Sequence, residues 1–274
     1  TRKHGRRCSA AVAHLRPALA RGNITLLTKA QVVKINMTGN SVSGVTFRHK
    51  GKIHSVEANK EVILSGGAIN SPHILMISGI GPSDHLREHG IDVHVDLPGV
   101  GQNLQDHSCV ILQYACKKSF PIHKVNQPHR KLATGIRWVF TRKGLATSNI
   151  WEAGGLIKSS PNASYPDIQY HFGPVGFEYD DDKISLLQAF AIHVDQLRPR
   201  SRGQITLKSA NPLEKPLMTF NYLQDPEDLA EMLNGVKKAR ELISQRAFDE
   251  FRGQELMPGQ KVQSDADLVQ FIRE

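Results

Sequence analysis

The 274 residues carry a net charge of +9 and are 39% hydrophobic, with a mean hydropathy of −0.34. This balance suits a folded, water-facing chain and excludes a disordered polyelectrolyte. It also excludes a bilayer-spanning run, since the longest candidate, Val62 to Ile80, is broken by glycines, Asn70, Pro72 and His73.

The first predicted helix, Ala10 to Leu19, is capped by Ser9. Ile24 to Leu27 and Val32 to Met37 follow as extended runs, the second closed by the turn pair Gly39-Asn40. Val42 to His49, the turn Lys50-Gly51 and Ile53 to Ala58 complete a β-meander, and Glu61 to Leu64 reads as a buried strand. That strand exits through Gly66-Gly67 into a short apolar helix with Pro72 at its start and Ser78-Gly79-Ile80-Gly81 as its stop. Strand–glycine–helix units let a backbone approach a nucleotide closely. Ser83 to Gly90 is a compact helix with a Ser cap, and Asp96 to Gly101 is a tight loop. Beyond Ser108 come a strand at Val110 to Ala115 and an amphipathic helix at Lys131 to Phe140. Ile168, Tyr170 and Phe172 form a strand that puts Gln169 and His171 on its other face. Leu186 to Val194 and Gly203 to Lys208 are further strands. Asp225-Pro226-Glu227-Asp228 opens the longest helix, with acids in its first turn and an apolar stripe of Leu229, Met232, Leu233, Val236 and Ile243. Ser264 opens a last helix that meets no C-cap before Glu274. With no starting Met at Thr1, the chain is expected to be an internal piece of a longer protein.

The positive charge is scattered apart from Arg2 to Arg7 and lacks interleaved aromatics, so no nucleic acid is expected. Three cysteines without a CxxC pair read as free thiols of a reducing, intracellular compartment, Cys109 and Cys116 as buried apolar-like residues. Thirteen dispersed histidines predict no metal site.

Four blocks resemble the glucose-methanol-choline (GMC) flavoenzymes. They are Gly67-Ala68-Ile69-Asn70-Ser71-Pro72 through Gly81; Leu97-Pro98-Gly99-Val100-Gly101-Gln102-Asn103-Leu104-Gln105-Asp106-His107; Ser201-Arg202-Gly203-Gln204-Ile205-Thr206-Leu207-Lys208-Ser209; and Asn221-Tyr222-Leu223 with Phe251-Arg252-Gly253-Gln254-Glu255-Leu256-Met257-Pro258-Gly259. Within that family the run is most similar to choline dehydrogenases. The resemblance implies a mixed α/β and α+β fold: residues 1–107 as part of an FAD-binding domain with a βαβ-like core and a meander, residues 108–220 as a substrate domain of antiparallel sheet backed by helices, and residues 221–274 as a helical return bordering both. It implies FAD and oxidation of a primary alcohol to an aldehyde, choline first. A base takes the hydroxyl proton and hydride passes to flavin N5. Electrons would go to an acceptor such as a quinone, with the protein cytoplasmic or peripheral on a membrane.

The family's GxGxxG would precede Thr1 and its catalytic His would follow Glu274, so the chain alone is expected to be inactive. Among its own residues the resemblance points to Val32, Gly67 and Ala68 for cofactor contact, a core or packing role being the alternative at each. Trp151, Glu152 and His171 point to the substrate: the indole for a trimethylammonium group, His171 as an auxiliary group at the hydroxyl. A rim aromatic, a loop cap and a sheet histidine are the corresponding alternatives. Asn103, Asp106 and His107 read as a joining turn rather than a catalytic set. Two other functions stay open: a GMC dehydrogenase for another aliphatic or aromatic alcohol, and a non-catalytic module that keeps the fold.

Overall fold

The computed structural model describes residues 2–180 and 183–274, with side chains described for residues 4–178 and from residue 184 onward; the side chains of Arg2 and Lys3 in the basic run lie outside the described residues. In chain order, β1 (Arg2–Lys3) and β2 (Arg6–Arg7) form a short hairpin, followed by a widened helical turn (Ala11–Leu15) and α1 (Arg16–Leu19). Next come β3 (Ala30–Thr38), β4 (Ser41–His49), β5 (Lys52–Glu57), α2 (Gly67–Ile77), β6 (Ile80–Gly81), α3 (Ser83–Glu88) and β7 (Val95–Asp96). They are succeeded by β8 (Cys109–Cys116), α4 (Pro128–Thr141), β9 (Ala153–Ile157), β10 (Ile168–Gly173), β11 (Gly176–Asp180), β12 (Lys183–Leu187) and β13 (Ala189–Gln196). β14 (Gln204–Thr206), β15 (Leu217–Thr219), α5 (Pro226–Ser244), β16 (Arg252–Met257) and α6 (Asp265–Arg273) complete the chain. These elements form two units: residues 1–23, 107–200 and 223–274, and residues 24–106 and 201–222.

The first unit is built on an antiparallel sheet in the order β16-β8-β13-β10-β9. Alternation places Val110, Leu112 and Tyr114 of β8, Ile168 and Tyr170 of β10, and Phe190, Ile192 and Val194 of β13 in one core. Met232, Val236, Ala239 and Ile243 of α5 and Leu268 and Ile272 of α6 pack into the same core. Both helices start where expected. Asp225 Oδ1 accepts from the Glu227 amide at 2.9 Å, and Ser264 and Asp267 cap each other reciprocally. Gly235 lets α5 approach closely, because a Cβ there would lie 3.0 Å from Val194 and 3.1 Å from Ile168.

The second unit holds the β3-β4-β5 meander, whose turns use Gly39 at φ +58° and Lys50-Gly51 at φ +50° and +79°. It also holds a small βαβ unit in which β6 and β7 run parallel around α3. Met76, Leu86, Ile205 and Leu207 form its core. At Gly101, with φ +83°, a Cβ would fall 2.2 Å from the Ile205 carbonyl oxygen, so the motif glycine is required there by both conformation and space.

Several expectations are corrected. Glu61 to Leu64 and Ile24 to Leu27 form no strand; both lack a paired neighbour, and Ile63 is 77% exposed. An apolar run becomes a strand only where another strand takes its backbone hydrogen bonds. Pro72 sits inside α2 rather than at its start, and Pro82, not Ser83, precedes α3, the Ser83 amide being held by Asp96 Oδ1 at 3.0 Å. Leu186 to Val194 is split at Gln188, because β12 pairs with β11 whereas β13 pairs with β8 and β10. Cys116 is buried but Cys109 is exposed at the open end of β8. The sheet is backed by α5 and α6, whereas the apolar residues of α4 face outward. Among the described residues no helix is long and apolar enough to cross a membrane, and no group of three or more His, Cys, Asp or Glu could hold a metal.

Candidate active site

The face of the five-stranded sheet turned away from α5 carries Gln169 and His171 of β10, His193 and Asp195 of β13, and Cys109 of β8. His171 stands directly across from His193, and Asp195 across from Gln169 on one side and Cys109 on the other. His171 Nε2 lies 3.5 Å from Asp195 Oδ2, and Cys109 Sγ lies 3.5 Å from His193 Nδ1.

Trp151, just before β9, closes this cluster. Its ring meets His193 edge to face with centroids 4.3 Å apart, and lies 6.4 Å from His171 and 6.2 Å from Phe177. Gly173 creates the space, since a Cβ there would stand 2.7 Å from Trp151 Cζ3. Phe177 is fixed by buried Gln113, whose Oε1 accepts from the Phe177 amide at 2.7 Å while Nε2 donates to its carbonyl at 3.1 Å.

Asp195 Oδ2 and His193 Nε2 are buried and make no hydrogen bond among the described residues. Such groups are rare in folded proteins and suit a site that meets a polar partner. Although Cys109 as a whole is exposed, its sulfur sits among His193 and Asp195, and loss of water around it and then the Asp195 carboxylate push the thiol up to about 12, which favours the protonated form at neutral pH. Burial lowers the His193 pKa below the ordinary imidazole value, with Asp195 opposing and His171 reinforcing the shift. A histidine with a depressed folded-state pKa contributes stability that is fully present above the unfolded value and is lost as pH falls from there toward the folded value. Acidification from about pH 7.5 to about 5.5 is therefore expected to lower the urea midpoint more in the native sequence than in His193→Gln. Equal slopes in the two proteins would refute a neutral buried His193.

Of the residues anticipated for substrate contact, Trp151 and His171 are brought together. Glu152 is exposed, and its Oε1 accepts from Ser148 Oγ at 2.6 Å in the loop before β9. His193, Asp195, Phe177 and Gln113 were not singled out by sequence reasoning. The sequence signal for His193 and Asp195 is the alternation of Ala191, His193 and Asp195 with Phe190, Ile192 and Val194. The opposite sheet face has a cavity of about 670 Å³ lined by Tyr170, Phe172, Ile192, Leu242 and Phe248 among others. It does not contain the cluster.

In the second unit, β3 is an edge strand with a register irregularity just after Val32. The Ile35 amide, elsewhere on β3, donates to buried Ser78 Oγ at 2.8 Å. Gly67 opens α2 at φ +80°, and a Cβ there would meet no atom within 4 Å. Gly67, Ala68, Ile69 and Asn70 are all exposed, and no side chain caps this helix start. Free first-turn amides beside a bare glycine suit an anionic group or a closely approaching ring system. The Asn103, Asp106 loop is braced instead of open: Tyr222 donates its hydroxyl to Asp106 Oδ2 at 2.7 Å.

The first unit is thus an antiparallel sheet backed by helices, and the second combines a meander with a small βαβ unit. The GMC oxidoreductase N-terminal model matches residues 1–109 and its C-terminal model residues 199–274, and the chain belongs to the GMC oxidoreductase family. It is 43% identical over 98% of its length to the oxygen-dependent choline dehydrogenase of Staphylococcus xylosus, covering 48% of that protein. It is 42% identical over 98% of its length to the protein of the same name from Staphylococcus aureus strain JH9, covering 47%. The chain thus spans about half the length of these curated relatives. A formate oxidase variant from Aspergillus oryzae RIB40 shares the fold, with a TM-score of 0.86 at 24% identity over 98% of this chain and 52% of that one.

Proposed function

We propose that the protein containing this chain oxidises a primary alcohol to the aldehyde with FAD, and that the alcohol is choline. The observation that carries the choline reading is the Trp151 indole beside His193, with the Asp195 carboxylate on the same sheet face. A quaternary ammonium offers no hydrogen-bond donor, so it is recognised by an aromatic face and a nearby negative charge. The names of the Staphylococcus relatives support the same reading.

In this proposal Trp151 and Asp195 hold the trimethylammonium group. His171, with its side chain partly open, hydrogen-bonds the substrate oxygen and stabilises developing alkoxide charge. The open first turn of α2 with Gly67 and Ala68, and the edge of β3 at Val32, fit FAD and would hold it by backbone contact. Bound FAD would supply the hydride acceptor. The second unit thus serves the cofactor and the sheet of the first unit the substrate, while the catalytic base comes from outside this chain, which alone is inactive. Electrons leave to an external acceptor, and the relatives' name favours dioxygen over a membrane quinone. Peripheral membrane contact belongs to the same reading.

The test is the visible absorbance of the full-length protein before and after choline in the absence of oxygen. Bleaching of a flavin band by choline is expected. A flavin bleached only by other primary alcohols would overturn the substrate, and a folded protein without flavin would overturn the enzyme reading.

A further inference from the structure

Gln113 is a buried polar side chain in the middle of the sheet. β8 lies between β16 and β13, and Gln113 stands across from Met257 on one side and Ala191 on the other. Alternation turns it away from the core of Val110, Leu112 and Tyr114 and onto the face that carries Cys109, His193 and Asp195. It is 3% exposed. A buried amide is costly unless its oxygen and nitrogen both find partners. Here one residue partners both, since the bonds to the Phe177 amide and carbonyl repeat the pattern of a hydrogen-bonded pair in an antiparallel ladder. The amide nitrogen also lies 3.8 Å from Met257 Sδ.

Phe177 belongs to β11, which pairs with β12 and, among the described residues, not with the five-stranded sheet. Side chains fasten this stretch to the sheet instead. Gln113 holds it at Phe177, and His123 holds it at Pro174. His123 Nδ1 accepts from the Phe120 amide at 3.1 Å, so Nε2 carries the hydrogen and donates to the Pro174 carbonyl at 2.9 Å and the Ala189 carbonyl at 3.2 Å. Between the two fastenings Val175 is fully buried, and at Gly176 a Cβ would fall 2.7 Å from Gln113 Oε1. The ends of the same stretch are surfaces on which Trp151 packs: Gly173 leaves room for its ring, and Phe177 stands beside it.

We propose that Gln113, assisted by His123, is a positioning residue for cation recognition. It fixes residues 173–177, and through them the Trp151 indole, where the ammonium group of the substrate is held. The inference rests on the choline reading above and adds the residues that hold the indole in place. A cation–π contact depends on where the ring face lies, so an indole whose support shifts loses its grip on the charge first. His171 is kept in register by β9 and β13 on either side, so the hydroxyl end of the substrate is disturbed less by the same change.

The experiment compares oxidation of choline and of the neutral isostere, in which carbon replaces the ammonium nitrogen, by the full-length native protein and by Gln113→Met. Methionine nearly keeps the length and volume and drops both bonds to Phe177. KM for choline is expected to rise about three- to tenfold with a smaller change in kcat, and the preference for choline over the isostere to narrow by about the same factor. His123→Phe, which keeps a ring and releases Pro174, is expected to narrow it in the same direction. In a Trp151→Ala background Gln113→Met is expected to leave the preference where it is. Flavin content and near-ultraviolet circular dichroism control for folding, and if Gln113→Met does not fold, His123→Phe decides by the same ratio. An unchanged preference in the folded variant overturns the proposal, as does an equal narrowing with Trp151 already absent. A native protein that does not oxidise choline overturns the choline reading and this one together, whereas a choline oxidiser whose variants keep its preference overturns this one alone.

Discussion

Exchanging Asp195 for asparagine in the full-length protein is expected to narrow the preference for choline over its neutral isostere, in which carbon replaces the ammonium nitrogen, by about ten- to a hundredfold in kcat/KM. Asparagine keeps the size and loses only the charge, so the change reads charge recognition and not shape. The side chain is 13% exposed and shares its face of the sheet with His171 and His193. At an effective dielectric of about 20, two unit charges 4 Å apart interact by about 4 kcal/mol. Partial solvation and the competing imidazole of His171 reduce this to about 1.4–2.8 kcal/mol, which corresponds to the stated factor. The comparison substrate matters because Asp195 also faces His171: a purely positioning role would slow both alcohols equally and leave the ratio untouched. An unchanged ratio would therefore remove Asp195 from cation recognition while leaving the family and its chemistry in place.

Asp228→Ala is expected to cost about 2–4 kcal/mol of stability, read as a fall in the urea midpoint at unchanged slope. Asp228 is fully buried in the first turn of α5, where the helix dipole favours a carboxylate. Its Oδ1 accepts from Gln196 Nε2 at 2.9 Å and from the Arg200 amide at 2.7 Å. Gln196, itself fully buried at the end of β13, also donates to Glu231 Oε2 at 2.8 Å and accepts from Ser108 Oγ at 3.2 Å. One carboxylate thus ties the end of β13 and the chain after it to α5. Alanine would leave the Arg200 amide without this acceptor and Gln196 without one of its two, the costly case for buried polar groups. Asp228→Asn keeps an acceptor oxygen and is expected to lose less. A loss below about 1 kcal/mol in the alanine variant would mean that water or a neighbouring side chain replaces the carboxylate.

Much of the local structure was legible because its causes are local. Asp225 and Ser264 announce their helices by capping chemistry, Gly39-Asn40 and Lys50-Gly51 their turns by positive φ, and Ile168 to Phe172 its faces by alternation. The GMC motifs were legible for a related reason: Gly67 and Gly101 have a positive φ that other residues adopt poorly, and at Gly101 a side chain would also meet the Ile205 carbonyl. Trp151 and His171 came from that resemblance, and the fold brings them together.

What the sequence by itself determined was most of the regular segments, which face of each is apolar, and the family. Tertiary structure decided which strands are neighbours and in what register. Period-two alternation says that His193 and Asp195 share a face but not that β13 lies beside β10 with His171 opposite His193, because register is set by long-range pairing. The same reason defeated the strand expected at Glu61 to Leu64, whose pattern could not supply a partner. It also separates α4 from α5. Both are amphipathic in sequence, yet α5 closes the sheet and α4 presents its apolar face outward, since an apolar stripe fixes which side of a helix seeks cover and only the surrounding chain decides whether it finds any.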